Sequence, residues 1–204
     1  MSFVRVSSCI AGLALFFGLI AGASAQEHAA FMRVTGKTSQ PVGHFELCSR
    51  MPGECNEMTR DTTPAHLTVT LWNELIAVND NVNTAIDPVT DEQLYGRQEY
   101  WTYPEDGKGD CEDFVLLKRR ELIEKGWPAG ALLITVVRQT NGEGHAVLTV
   151  RSDRGDLVLD NLEPKVKLWG DTEYQFVKRQ SEQNSGRWVA IEDDRPTLVG
   201  SIKR

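Results

Sequence analysis

The chain has 204 residues, 41% of them hydrophobic and 25% charged, with 22 Lys and Arg against 29 Asp and Glu and a formal net charge of −7. That acidic balance, with no run of Lys or Arg, argues against a nucleic-acid partner and opposes adsorption to anionic lipid surfaces. The length suffices for one domain with its own core, without staples.

Residues 1–25 read as a secretory signal peptide: Arg5, an apolar stretch from about Ile10 to Ala21, then Ala23-Ser24-Ala25 before the expected cleavage point. The apolar stretch is shorter than the roughly 20 residues that span a bilayer. Cleavage would remove Arg5 and Cys9 and leave residues 26–204, with 21 basic and 29 acidic residues and a net charge of −8. No later stretch approaches membrane length, so the mature protein is expected to be exported, soluble and not inserted in a membrane.

Three cysteines then remain. Cys48 and Cys55, in "LCSRMPGEC", enclose a short loop with Pro52 and Gly53, and a disulfide is expected in an oxidising compartment. A zinc site joining His44 to them lacks a fourth ligand and a common spacing. Cys111 is the leftover thiol.

From 26 to 62 the chain reads as irregular. In "TPAHLTVTLWNELIAVNDNVN", Thr63 can cap a helix and Pro64 suits its first turn, with His66 an exposed side chain there. Leu67, Leu71, Leu75 and Val78 recur at helical spacing. The stretch from Asp87 to Gly109 is long for a loop, and its aromatics, Tyr95, Tyr100, Trp101 and Tyr103, argue for packing rather than disorder. A second helix is expected from Cys111 to about Lys125, with Asp110 at the N-cap, Asp113 at N3 and Gly126 just past the end. Thereafter the period changes to two, giving strands at 131–138, 145–152, 156–160, 173–180 and 187–192. Helices followed by strands, with no linker between, predict a single α+β domain in which N-terminal helices pack on an antiparallel sheet.

The segment "GDCEDF" sets one thiol among Asp110, Glu112 and Asp113. At a helix start, unpaired N–H groups and the dipole favour a thiolate. Cysteine catalysis also needs a base and a group that orients the base. Of the histidines left after cleavage, His145 begins a strand where a sheet edge can present it to a helix end, and Asp160 ends the next strand, subject to a register that a one-residue slip would invert. Taken singly, each of Cys111, His145 and Asp160 has a structural explanation; together they form a nucleophile, base and orienter.

The segments "YWTYPEDGKGDCEDF", "HAVLTV" and "LVLDN" resemble the bacterial transglutaminase-like cysteine proteinases, the family of the LapG-like periplasmic proteases. The resemblance implies a transglutaminase-like, papain-related α+β fold, with Cys111 as nucleophile, His145 as general base and Asp160 as orienting carboxylate. It implies Ca²⁺ held by Asp110 and Glu112, with Asp113 a plausible addition. It implies cleavage of a large surface adhesin at a dialanine-like site in the periplasm, with an inner-membrane cyclic-di-GMP receptor as a possible partner. Calcium would account for the acids. A carboxylate roughly 7 Å from a sulfur, at an effective dielectric near 20, disfavours the thiolate by about 2 kcal/mol, more than the roughly 1 kcal/mol that a helix dipole supplies. Without the metal, Asp110 and Asp113 would be helix caps and Glu112 would face solvent. The oxyanion donor would be the Cys111 N–H, with Trp101 or Tyr100 as side-chain candidates beside their packing role. Acyl transfer to an amine uses the same three residues and remains open, as does a peptide-binding module with a disabled triad.

Overall fold

The computed structural model describes Met1 and residues 30–56 and 62–195; the expected signal peptide, Cys9 included, lies outside the described residues. In chain order the elements are β1 (Arg33–Thr38), α1 (Val42–Arg50), a 3-10 turn (Pro52–Cys55), α2 (Val69–Ala85), β2 (Asp87–Pro88), α3 (Asp91–Tyr95), β3 (Lys108–Gly109) and α4 (Cys111–Glu124). Then come β4 (Leu132–Arg138), β5 (Gly144–Ser152), β6 (Gly155–Leu159), β7 (Lys167–Leu168), β8 (Gln175–Gln180) and β9 (Trp188–Glu192).

The strands form a seven-stranded sheet in the order β1-β9-β8-β4-β5-β6-β7, with antiparallel neighbours throughout. Alternation along each strand divides its side chains between two faces. Leu132, Ile134, Ala146, Leu148 and Val150 face the main core with Leu75, Val78, Val82, Phe114, Val115 and Leu122 of α2 and α4, while Val137, Val147, Val158 and Phe176 form a smaller cluster on the opposite face. Burying each such leucine or phenylalanine contributes about 2 kcal/mol. This is the expected helix-on-sheet α+β arrangement.

Helix α4 begins and ends where the residues require. Asp110 and Asp113 form a capping box, Asp113 Oδ2 accepting from the Asp110 N–H at 3.4 Å, and Gly126 leaves the helix at φ 95°. The five expected strands are β4, β5, β6, β8 and β9, each within two residues of its predicted bounds.

The N-terminal third differs from its sequence reading. Residues 33–50 are not irregular: β1 pairs with β9, and α1 carries Cys48, which is disulfide-bonded to Cys55 with the Cα atoms 5.6 Å apart. The bond takes both sulfurs that a zinc site would have used, and His44 is buried between Trp101 and Trp188. Burial first, then the charge of Arg119, lowers His44 to about 4, so it packs as a neutral ring. The cap of α2 is Thr68, whose side chain accepts from the Leu71 N–H, rather than Thr63. Residues 63–67 instead run beside the end of β5: Ala65 bridges Ser152, and His66 bonds Asp153 at 2.6 Å ahead of the helix. No described helix is long and apolar enough to cross a membrane.

Candidate active site and acidic cluster

A cleft of about 470 Å³ opens where the start of α4 meets the start of β5. Cys111, Glu112, Trp101, His145, Ala146 and Lys178 are among its lining residues. Two features of the fold bring them together. The capping box fixes the first turn of α4, on which Cys111 is the first residue. Packing of α4 against β5 then sets the Ala146 backbone N–H against the sulfur, so the residue next to His145 touches Cys111 directly.

The register of β5 with β6 places Asp160. Leu148 pairs with Leu159, and one further step sets Asp160 opposite Val147, on the strand face that His145 shares. His145 Nε2 and Asp160 Oδ1 are 2.8 Å apart, and both residues are buried. That contact leaves Nδ1 as the ring nitrogen available to Cys111. The carboxylate is completely supplied with donors: the Leu162 N–H on Oδ1 at 3.1 Å and the Tyr174 hydroxyl on Oδ2 at 2.5 Å. Burial pushes the Asp160 carboxyl up, but the bonds from His145, Tyr174 and Leu162 outweigh it and hold the carboxyl below its ordinary value. Tyr174, whose ring lies 5.5 Å from the His145 ring, was not singled out by the sequence, where it is one aromatic of a strand.

The other flank of Cys111 is acidic. Its Sγ donates to Glu112 Oε2 at 3.1 Å, and Glu112 is 5% exposed rather than facing solvent. Burial, then the Glu112 charge and hydrogen bond, push the thiol well above its ordinary value; Asp110 adds to the rise and the Ala146 N–H opposes it. Asp110 lies at the centre. One oxygen of Asp110 and one of Glu112 come within 4.8 Å of each other and of the sulfur, and the same limit joins oxygens of Asp91, Asp110 and Asp113. Asp91, 19 residues before Asp110 on the first turn of α3, is drawn in by the short parallel pairing of β2 with β3, and its N–H donates to Asp110 Oδ2 at 3.1 Å. No spacing in the sequence marks Asp91; its only local signal is the Thr90 cap before it.

Some of these oxygens are satisfied. Thr102 N–H donates to Asp113 Oδ1 at 2.8 Å, and Tyr100 N–H donates to Asp91 Oδ2. Asp91 Oδ1 and Asp110 Oδ1, however, are buried with no N–H group reaching them, and what these two carboxyls meet on that side is the carboxyl of Glu112. Burial raises Asp113 to about 8 and Asp91 to about 6, with the charge of Asp110 adding to both against the backbone bonds. Glu112 is likewise raised well above its ordinary value, by burial first and by Asp110 next. Crowded carboxylate oxygens, two of them lacking donors, fit a hard divalent cation such as Ca²⁺, which takes oxygen ligands and not the cysteine sulfur.

Of the two oxyanion candidates, Trp101 lines the cleft with its Nε1–H donated to Glu99 Oε2 at 2.9 Å. Tyr100 lies beneath the Arg50 guanidinium, 4.1 Å from its ring centroid, and is not among the residues lining the cleft.

Comparison with known proteins bears on the whole assembly. The fold is that of Legionella pneumophila LapG: its calcium-bound structure is 28% identical, with a TM-score of 0.51 over 63% of this chain and 75% of that one. The EGTA-treated LapG structure is 28% identical, with a TM-score of 0.51 over 61% and 73%. No curated protein matches the chain. Residues 34–196 match the family of bacterial transglutaminase-like cysteine proteinases; the chain belongs to that family and is a cysteine peptidase.

Proposed function

We propose that the protein is an exported, calcium-dependent endopeptidase of the periplasm, comprising a signal peptide (1–25) and one proteinase domain (26–204), in which Cys111, His145 and Asp160 act as nucleophile, base and orienter. The observation that carries this reading is the bonded His145–Asp160 pair opening onto the cleft that also holds Cys111. Asp110, Glu112 and Asp113 would hold Ca²⁺, joined by Asp91, and LapG, a relative, is known in calcium-bound and EGTA-treated forms. When bound, the ion supplies positive charge beside carboxylates that otherwise oppose the thiolate.

The residues then divide the work. His145 takes the Cys111 proton on Nδ1, its Nε2–H held by Asp160, so the imidazolium forms next to a fixed negative charge. The thiolate attacks the scissile carbonyl carbon, and the Cys111 backbone N–H, at the open end of α4, meets the oxyanion. His145 returns the proton to the amine nitrogen as the C–N bond breaks, leaving a thioester on sulfur. It then takes a proton from water, whose oxygen attacks the thioester and releases the acid and the thiol. The substrate we assign is a surface adhesin cut at a small-residue, dialanine-like site, with a membrane cyclic-di-GMP receptor as the candidate regulator; the motif resemblance around Cys111, His145 and Asp160 supports this assignment.

The test is cleavage of an alanine-rich adhesin fragment by the wild-type chain and by Cys111→Ala and His145→Ala, with EGTA as the metal control and product masses read with and without an added amine. Hydrolysed products that require both residues and calcium support the reading. Cleavage by Cys111→Ala at the wild-type rate ends it, and amine-bearing products redirect it to acyl transfer.

A further inference from the structure

Lys118 has no part in the chemistry above, yet none of its side chain is exposed. It lies on α4 two turns beyond Cys111, and its Nζ has no hydrogen-bond partner. An ammonium withdrawn from water is strongly unfavourable unless counter-charges face it. Two carboxylates do: Asp160, just past β6, and Asp80 on α2. The Phe114 ring, centred 5.9 Å from Nζ, closes its own-helix side.

The segment around Asp160 also carries acceptors without donors. Asn83 Nδ2 donates to the Asp160 carbonyl at 2.8 Å, and Asn79 Nδ2 donates to the Pro164 carbonyl at 3.0 Å. Helix α2 thereby grips the 160–164 segment through two amides. The oxygens of Asn79, Asn83 and Asn161 are buried with no partner.

We infer that Lys118 is a positioning residue for the proteolytic reaction: its ammonium, between α4, α2 and the Asp160–Asn161 corner, balances the Asp160 carboxylate from the helix side and fixes the corner that holds His145. The inference rests on the proposed role of Asp160. Burial alone would strip the proton from Lys118, and it lowers the group to about 7, with Asp160 and Asp80 opposing. Near neutral pH the charge therefore depends on those two acids. The groups facing the His145 ring are Asp160 and Tyr174, with Glu99, Cys111, Glu112 and Lys178 lining the same cleft.

The His145 titration midpoint is read by NMR in the calcium-saturated Cys111→Ala protein. Removing a nearby positive charge favours the imidazolium, so Lys118→Met should raise the midpoint by about one pH unit, while Lys118→Arg should hold it within about 0.3 unit. In the chain that retains Cys111, Lys118→Met should lower kcat about tenfold with KM within about twofold. An unmoved midpoint in folded Lys118→Met overturns the inference, whatever that variant's stability. If Lys118→Met does not fold, the Lys118–Asp160 pair is read directly: Asp160→Asn should lower the Lys118 midpoint, followed at its ε-carbon, by about one pH unit, and no shift overturns the inference. Full cleavage by Asp160→Asn would instead remove the underlying triad; an inactive Asp160→Asn with unmoved midpoints removes the role of Lys118 alone.

Discussion

Two groups of wholly or partly buried carboxylates flank the site, one behind His145 and one beside Cys111, and they are supplied differently. On the sheet side, His145, Tyr174 and the Leu162 N–H give both oxygens of Asp160 a donor, and its carboxyl is held below its ordinary value. On the helix side, Asp91, Asp110, Glu112 and Asp113 crowd together, two oxygens have no donor, and Asp91, Glu112 and Asp113 are pushed up. Burial acts on both groups; at Asp160 three donors and the His145 charge outweigh it, whereas among the helix-side acids mutual carboxylate repulsion adds to it and the backbone donors do not offset the sum. The first arrangement keeps its charge with donors and cationic neighbours from the chain itself, whereas the second has no cationic side chain in the cluster among the described residues and would keep its charge only beside a bound cation.

The comparison can be broken most severely on the sheet side. Asp160→Asn keeps the shape but lets the amide favour the wrong histidine tautomer, and kcat/KM for adhesin-fragment cleavage should fall by about 10³-fold or more. A loss under tenfold would show that this side is not the finished half. Next in size is metal removal. EGTA should lower cleavage by about 10²-fold, and added calcium should restore it, since each uncompensated carboxylate near the sulfur is worth about 2 kcal/mol. Activity indifferent to EGTA would dissolve the distinction.

A subtler effect concerns stability. The helix-side acids have folded-state pKa values above their unfolded ones, so between roughly pH 4 and 8 these groups bind more protons in the folded chain than in the unfolded one, and they outnumber His44, which is lowered to about 4 and acts in the opposite sense. The melting temperature of the EGTA-treated protein should therefore fall as pH rises through that window, by several degrees, and calcium should flatten the slope. Asp113→Asn should raise the metal-free melting temperature at pH 8 while weakening calcium binding in a titration; a metal-free stability that rises with pH across the same window would contradict the crowding. The smallest effect is expected from Tyr174→Phe, which removes one donor from an already supplied carboxylate. Cleavage should fall about tenfold, equivalent to about 1.4 kcal/mol, with the melting temperature changed by only a few degrees.

Legibility along the chain followed the source of each element's order. Helix α4 and strands β4, β5, β6, β8 and β9 were readable because periodicity, caps and burial agree within the segment itself. Strand β1 was not, since five of its six residues are exposed and it has no alternation to show. Helix α1 hides for a related reason. Its outward positions hold Val42 and Phe45, and its inward ones hold Gly43 and His44. Gly43 is there because a Cβ would sit 2.4 Å from the Trp101 indole, a constraint written 58 residues away. Thr63 and Pro64 make a good helix start locally, but pairing with the end of β5 claims that segment first. At the site, chemistry and chain order led to the expectation that Cys111, His145 and Asp160 come together, and the structure sets His145 in the cleft with Cys111 and against Asp160. Asp91, Tyr174 and Lys118 were not, because each matters only through a partner that the fold delivers.

Thiols are lost to peroxides chiefly as thiolates, and burial, with the charge and hydrogen bond of Glu112 added, favours the protonated, less oxidisable form of Cys111. If calcium activates the enzyme as proposed, the contact that opposes the thiolate in the metal-free protein also protects the sulfur, and exposure to oxidation rises together with activity.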